Sequence, residues 1–225
     1  MSNLVLYHGS SGIVQTPEYG KGKVYNDYGL GFYCTEHLEL AKEWACTEDV
    51  SGYANRYEIQ LDGLRILNLS DDAYTILHWL AILTENRKMR VSTPVVRRGI
   101  AWLKENYHID VDAYDAIIGY RADDSYFSFA RAFLNNQISL AQLSYAMRLG
   151  KLGEQFVLKS KKAFEAVTFA GYESADNAEY YIRRRLRDEE ARAAFQDELE
   201  KDDINGLYMR DIIREEVLPN DPRLR

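Results

Sequence analysis

The sequence predicts an α+β fold, in which a small sheet-containing domain carries helical insertions and a helical C-terminal extension. Short runs of alternating or β-branched apolar residues are typical of strands. Apolar residues at helical spacing recur in two longer segments, which predicts helical insertions at residues 71–106 and 123–149. From residue 174 the pattern is helical and highly charged. We therefore expect a main domain over residues 1–173 and an extension over residues 174–225.

The segment from Asp27 to Ala45 organises the N-terminal part of the chain. It follows an apolar strand at residues 4–8 and a loop with glycine and proline breakers. Within the segment, a turn with two glycines leads into the strand Phe32–Thr35 and then into a helix with an apolar face. Tyr33 and Trp44 are thus placed either to close one pocket or to pack in a shared core.

Strand pairing and helix caps are predicted for the middle of the chain. Residues 55–61 and 64–69 flank an Asp-Gly turn, which predicts a β-hairpin. Ser70 is expected to cap the first helix of the insertion, near residue 71, and a Thr-Pro pair to begin its second helix at residue 94. Further strands are expected at residues 114–120, 154–159 and 166–169.

The C-terminal extension is expected to contain two helices, at residues 176–203 and 207–217. The first has only a thin apolar stripe, formed by Ile182, Leu186, Phe195 and Leu199. A thin stripe predicts that the extension packs on the main domain and offers its outer face to a partner or a second copy.

Composition limits the classes of function. The net charge of −7 argues against nucleic-acid binding through overall charge, and the basic stretch 87–98 favours a solvated face over a nucleic-acid contact. Cys34 and Cys46 alone indicate neither a disulfide framework nor a zinc site, so no metal is expected. No apolar run approaches membrane-spanning length and no signal peptide is evident, which predicts a cytoplasmic protein without a membrane partner.

Two motifs give the chain a family resemblance. Leu6–Ser10 (LYHGS) delivers a histidine and a glycine to a strand end, and Asp27–Thr35 (DYGLGFYCT) follows at a suitable distance. Together they resemble the ADP-ribosyltransferase superfamily, in the H-Y-[E/Q] branch of diphtheria toxin and the poly(ADP-ribose) polymerases, and more closely an uncharacterised bacterial family of that fold. The resemblance is strong over residues 4–45 and weak over 114–169. It implies a split β-sandwich that binds NAD as a co-substrate.

The resemblance also implies roles for individual residues. The implied NAD-binding set is His8, Gly9, Ser10, Tyr33, Thr35 and Trp44. His8 would bond a ribose hydroxyl, and Gly9 would hold the carboxamide through its backbone while leaving room for the ring. Tyr33 would stack on the nicotinamide, with Trp44 as a second aromatic wall. Ala41 stands where the polymerases carry a carboxamide-binding serine, which implies a weaker hold on nicotinamide.

The third catalytic position of the resembled family falls at Glu154 or Gln155. Neighbours on a strand point to opposite faces, so only one of them can face His8 and Tyr33 across a cleft. A register without gaps favours Gln155, whereas the chemistry favours Glu154, because a carboxylate stabilises a forming cation. If Gln155 faces the cleft, Gln155→Glu is expected to retain or raise NAD cleavage.

The resemblance implies an NAD-dependent mono-ADP-ribosyltransferase that modifies a protein or nucleic-acid acceptor. Small members of this fold are often toxins of toxin–antitoxin or anti-phage systems, which implies an antitoxin partner. Two alternatives stay open. The departures at Ala41 and Gln155 would also suit a catalytically weak or inactive sensor that binds NAD or a nucleotide, and the charged C-terminal helices would suit a partner-binding module.

Overall fold

The computed structural model describes residues 3–122, 124–149 and 153–224, and these form seven strands and eight α-helices. The strands are β1 Asn3–Ser10, β2 Phe32–Cys34, β3 Gly52–Gln60, β4 Ile66–Asn68, β5 Ala116–Tyr120, β6 Glu154–Leu158 and β7 Val167–Ala175. The helices are α1 Leu38–Ala45, α2 Ile76–Asn86, α3 Pro94–Asn106, α4 Asp124–Leu134, α5 Leu140–Ala146, α6 Lys161–Glu165, α7 Asn177–Leu199 and α8 Met209–Arg214. The α+β class predicted from the sequence is confirmed.

The strands form two sheets whose edges meet at one point. The first sheet has the order β1-β3-β7 and is antiparallel throughout, and the second has the order β2-β6-β5-β4 with β4 and β5 parallel. Tyr7 on β1 and Thr35 just after β2 exchange backbone hydrogen bonds of 2.7 and 2.9 Å. His8 and Tyr33 therefore lie on neighbouring edge strands, at the point where the two sheets join.

Alternate residues of the second sheet face two different cores, as expected for strands packed on both faces. Phe156 packs with Leu6 and Ile59 in the core between the two sheets. Ile117 and Val157 instead face a larger core, to which the insertions and the C-terminal helices contribute. The strands that carry candidate site residues are thus held from both sides.

The hairpin predicted for residues 55–69 is wrong. The Asp-Gly turn is present, and Gly63 has a φ of 82°. However, β4 leaves the sheet that contains β3 and pairs in parallel with β5. The Asp115 side chain supports this pairing, because its Oδ2 accepts a hydrogen bond from the Arg65 backbone N–H at 2.8 Å. The Asp-Gly signal correctly predicted the position of the turn, but it did not predict the strand with which β4 pairs.

The first insertion begins its helix later than predicted. Helix α2 begins at Ile76, because the cap is Thr75 and not Ser70. The Thr75 backbone N–H donates to Nδ1 of His78 at 2.9 Å, completing a capping box. Ser70 instead donates its hydroxyl hydrogen to Glu154. Helix α3 has the predicted bounds, and the second insertion supplies α4 and α5; its first predicted residue, Asp123, lies outside the described residues.

Ion pairs join helix α7 to α1, beside an apolar cluster that includes Tyr180 and Ala45. Nε and Nη2 of Arg187 donate to the two carboxylate oxygens of Glu43 at 3.0 and 2.5 Å, and the Glu43 side chain is 3% exposed. Ile182 and Leu186, expected in an apolar stripe, are each 52% exposed. The buried residues of the helix are Tyr180, Ala191, Phe195 and Glu198. A buried, paired charge thus forms part of this interface.

Candidate functional site

A cleft of about 1140 Å³ opens where the two sheets join. Most of the residues predicted to form a site line it, namely His8, Gly9, Ser10, Tyr33, Trp44 and Gln155. A second cleft, of about 1230 Å³, lies among α5, the residues before α8 and the C-terminal residues, and contains none of the predicted site residues. The first cleft is therefore the candidate functional site.

His8 is held in one orientation and one tautomer. Its Nδ1 lies 2.7 Å from the backbone carbonyl oxygen of Tyr33. A carbonyl oxygen can only accept, so Nδ1 carries the hydrogen and Nε2 is the acceptor of the neutral ring. The ring also packs on Phe32, with centroids 4.3 Å apart. Burial lowers the pKa of His8, and the bond to Tyr33 offsets this in part, so the ring is neutral at neutral pH.

Tyr33 presents its ring to the cleft because the backbone holds its hydroxyl. The hydroxyl donates to the Gly29 carbonyl oxygen at 2.6 Å and accepts from the Tyr28 N–H at 3.1 Å. Burial raises the pKa of Tyr33 well above its usual value, which leaves it an uncharged aromatic surface. The glycine-rich turn of the sequence motif therefore orients the Tyr33 ring by holding its hydroxyl end.

Gln155 lines the cleft, and its amide nitrogen is fully used. Nε2 donates to Oδ2 of Asp27 at 2.9 Å and to the Tyr120 carbonyl oxygen at 3.2 Å. The buried Asp27 carboxylate also accepts from the Ala122 N–H at 2.8 Å and from Nη1 of Arg87 at 3.0 Å. With both amide hydrogens committed, Oε1 of Gln155 is the end left to accept a hydrogen bond from a ligand.

Two predicted site residues do not line the cleft. Glu154 is exposed and accepts from Ser70, on the opposite face of β6 from Gln155. Thr35 is fully buried, and its hydroxyl oxygen accepts from the His37 N–H at 3.2 Å. Thr35 thus shapes the start of α1, and the expected polar contact between Thr35 and a ligand is not supported. Of the two candidates for the third catalytic position, it is Gln155 that shares the cleft with His8 and Tyr33.

Gly9 is required for the packing of β1 against α1. A Cβ atom at this position would collide with the carbonyl oxygen of Ala41 and would lie 2.8 Å from the backbone nitrogen of Ala45. The missing side chain therefore makes room for a helix, which differs from the sequence-based reason that it makes room for a ring. Ala41 is buried in the same contact, and its side chain is 0% exposed.

The aromatic wall expected from Trp44 is already in contact with a cation. The guanidinium of Arg121 lies 3.8 Å from the centroid of the Trp44 ring, and both residues line the cleft. Nε1 of Trp44 is buried and has no hydrogen-bond partner among the residues described. One side of the cleft therefore combines a tryptophan face with a positive charge.

Asn55 organises the loop beside His8, and sequence reasoning missed it. Its buried Oδ1 accepts from the Val14 N–H at 2.9 Å. Its Nδ2 donates to the hydroxyl of Ser10 at 3.0 Å and to the carbonyl oxygens of His8 and Gly12, both at 3.2 Å. The signal in the sequence was a lone asparagine in an otherwise alternating strand, which indicates a buried polar partner only once its neighbours are known.

The comparisons with known proteins give a family. A family model described as "Protein of unknown function (DUF3990)" matches residues 4–169. The chain belongs to this family. Neither the curated proteins nor the solved structures gave a match. The DUF3990 region contains β2, β6 and all of β1 except Asn3, and therefore His8, Tyr33 and Gln155, whereas α7 begins after it.

The charge of the cleft is opposite to that of the protein. Its basic side chains are Lys21, Lys23, Arg87, Arg121 and Arg184, and its acidic ones are Glu18 and Asp27. Glu18 pairs with Lys21 and Asp27 with Arg87, and among the described residues that line the cleft the basic side chains outnumber the acidic ones, in a chain of net charge −7. Within the described part of the DUF3990 protein, no cluster of side chains suits a metal ion and no helix could span a bilayer.

Proposed function

We propose that this DUF3990 protein is an NAD-dependent mono-ADP-ribosyltransferase with a split β-sandwich. The observation that carries the proposal is the convergence of His8, Tyr33 and Gln155 on one cleft, at the joint between a three-stranded and a four-stranded sheet. The three residues come from separate strands, and the resembled superfamily uses the same residue types for NAD. A cleft of about 1140 Å³ is large enough for a dinucleotide.

Each group has a role that its geometry permits. Nε2 of His8 accepts a hydrogen bond from a ribose hydroxyl, because the Tyr33 carbonyl fixes the other ring nitrogen as a donor. The ring of Tyr33 stacks on the nicotinamide. Oε1 of Gln155 accepts from a hydroxyl of the nicotinamide ribose, and the carboxylate of Asp27 behind it places negative charge near the reacting sugar.

The reaction is a substitution at the anomeric carbon of that ribose. The bond to nicotinamide breaks and its electron pair neutralises the pyridinium nitrogen, so nicotinamide leaves uncharged. A nucleophile of the acceptor forms the new bond to the ribose carbon and loses its proton. The transition state carries positive charge on the sugar, as in glycoside hydrolysis, so the fixed dipoles and charges of the cleft lower its free energy.

One observation favours a second candidate, a sensor that binds NAD or a nucleotide with little turnover. Among the residues described, the carboxylates that line the cleft, Glu18 and Asp27, are paired with cations, and the third position holds an amide. Negative charge reaches the sugar only indirectly in this arrangement. A protein that binds NAD but neither releases nicotinamide nor labels an acceptor in cell lysate would support the sensor.

The test is nicotinamide release from NAD by the full chain. His8→Ala and Tyr33→Ala should each lower the rate by about 100-fold or more, the usual effect of removing a group that acts in the transition state. His108→Ala is the matched control, because His108 is exposed and contacts Glu85 outside the cleft. The proposal fails if His8→Ala and Tyr33→Ala, both folded, bind and cleave NAD like the wild type and the His108→Ala control.

The proposal extends to a biological role, on the strength of the resemblance. The protein would act in the cytoplasm as a toxin of a toxin–antitoxin or anti-phage system, on a protein or nucleic-acid acceptor, with an antitoxin as its partner. Induced expression tests this role. The wild type should arrest growth and His8→Ala should not, and equal growth of the two would argue against a toxin.

A further inference from the structure

Arg184 of α7 occupies an inward position on its helix and yet is exposed. The inner face of α7 runs through Tyr180, Ala191 and Phe195, all of which are buried. Arg184 follows Tyr180 by four residues and so lies on the same face. Arg184 is exposed because this part of α7 borders the cleft, and its side chain lines that cleft.

The position of Arg184 is fixed by ion pairs on both sides of it along the helix. Arg183 donates to Glu39 at 2.8 Å, and Arg187 makes its two-pronged contact with the buried carboxylate of Glu43. Glu39 and Glu43 are one turn apart on α1, so the two pairs set the register of α7 against α1. Arg184, between them in sequence, is therefore carried to the same place at the rim of the cleft.

Arg184 has no anionic partner in the part of the chain that the structure describes, and the same is true of Lys23 on the loop that borders the cleft. Arg121 adds a guanidinium against Trp44. Cations such as Arg184 and Lys23, which border a cleft without an anionic partner among the described residues, raise the local concentration and affinity of anionic ligands. A guanidinium group can also donate two parallel hydrogen bonds to two oxygens of one phosphate.

We propose that Arg184, together with Arg121 and Lys23, forms a subsite for the diphosphate of a dinucleotide. The inference rests on the proposed function for the identity of the ligand, and it assigns to α7, which lies beyond the DUF3990 match, a direct part in binding it. Two segments then complete the cleft: the family region holds the nicotinamide half and supplies Lys23 and Arg121, and α7 supplies Arg184 to the phosphates.

Calorimetric titration of the full-length protein with three probes tests the subsite. NAD and ADP carry the diphosphate, and nicotinamide riboside lacks it. Arg184→Ala should lower the affinity for NAD and for ADP by about tenfold, the effect of losing one charge-assisted contact. Its affinity for nicotinamide riboside should be unchanged. Arg184→Lys should retain part of the affinity. Arg185→Ala is the matched control, since Arg185 is exposed, pairs with Glu189 and does not line the cleft.

The outcomes separate the subsite from the proposed function. The subsite is overturned if Arg184→Ala binds NAD and ADP as the wild type does, even where His8→Ala loses turnover and the function stands. It is supported, and the function fails, if ADP binding depends on Arg184 while NAD is never cleaved. Equal losses with Arg184→Ala and Arg185→Ala would reduce the effect to general charge and overturn the assignment, as would a wild type that binds neither NAD nor ADP.

Discussion

The amide nitrogen of Gln155 donates to the carboxylate of Asp27 at 2.9 Å, although the two residues are 128 positions apart in the chain. This bond settles which end of the amide faces the cleft. It also settles where the negative charge lies, because the carboxylate is one hydrogen bond behind the position that the resembled enzymes fill with glutamate or glutamine. Substitutions at either residue must therefore be designed together.

Gln155→Glu alone is expected to lower both NAD cleavage and stability, whereas the sequence led us to expect NAD cleavage that is retained or raised. The new carboxylate would face that of Asp27 at hydrogen-bond distance, and such a pair resists ionisation of both groups. The double variant Gln155→Glu, Asp27→Asn removes the facing carboxylates and should recover part of both properties, because the asparagine lacks one of the two oxygens that accept from Ala122 and Arg87. Nicotinamide release and thermal unfolding measure them. A single variant as stable and active as the wild type would contradict the expectation.

Gly9→Ala should destabilise the protein by ~3 kcal/mol, because β1 and α1 cannot separate without exposing the core between them. The added methyl group would meet the backbone of Ala41 and Ala45. Gly12→Ala is the control, since a Cβ at Gly12 meets nothing within 4 Å, and its effect should stay within about 0.5 kcal/mol. Urea unfolding compares the two variants. Similar midpoints would show that the helix yields easily.

Asn55→Ala should lower the free energy of unfolding by about 2 kcal/mol, because it leaves the partly buried N–H of Val14 and the carbonyl oxygen of His8 without their side-chain partner. Asn55→Asp should cost more, since a carboxylate would face carbonyl oxygens where the amide donated. The exposed Asn220 supplies the control, and its alanine variant should change stability by no more than about 0.5 kcal/mol. Unfolding in urea gives the values. An Asp variant more stable than the Ala variant would be inconsistent with the assigned amide orientation.

Acidification should destabilise the protein through His8 and His78, whose pKa values burial lowers. The unfolded chain then binds more protons than the folded one below the ordinary histidine pKa of about 6.5. The contribution of the two neutral histidines to stability is complete above that pH. It is lost as the pH falls toward the pKa values of the folded protein. His78→Gln keeps the capping box but does not titrate in this pH range. The variant should therefore lose less stability than the wild type between about pH 6.5 and 5.5. Equal slopes for the variant and the wild type would exclude His78 as a contributor.

Local signals in the sequence predicted most of the elements, and tertiary contacts decided the rest. Helix α3 follows from its Thr-Pro start, and β6 from a short apolar run. The partner of β4 did not follow, because a turn fixes only the reversal of the chain and Asp115 lies far away in sequence. The roles of Asp27 and Asn55 were hidden for the same reason: a buried polar side chain is explained by partners that the linear pattern does not show.

The site was predictable where a residue type and a strand end coincide, as for His8 and Tyr33. The alternation of β6 decided between Glu154 and Gln155, since one neighbour must turn away from the cleft. Arg184 was not predictable. A helix of alternating charges does not reveal which arginine faces inward until its register against α1 is known, and the exposed Ile182 and Leu186 suggested a different inner face.

The backbone bridge between Tyr7 and Thr35 also bears on self-association. β1 and β2 are edge strands, and their meeting occupies N–H and C=O groups to which a foreign strand would otherwise add. The outer edges that remain are protected differently. β4 has only three residues, and β7 runs past a bulge opposite Arg56 and Tyr57 with Gly171 at a φ of 123°. Short or distorted edge strands are poor templates for pairing with another chain. The cleft at the joint between the sheets can therefore stay open without a long, regular edge strand beside it.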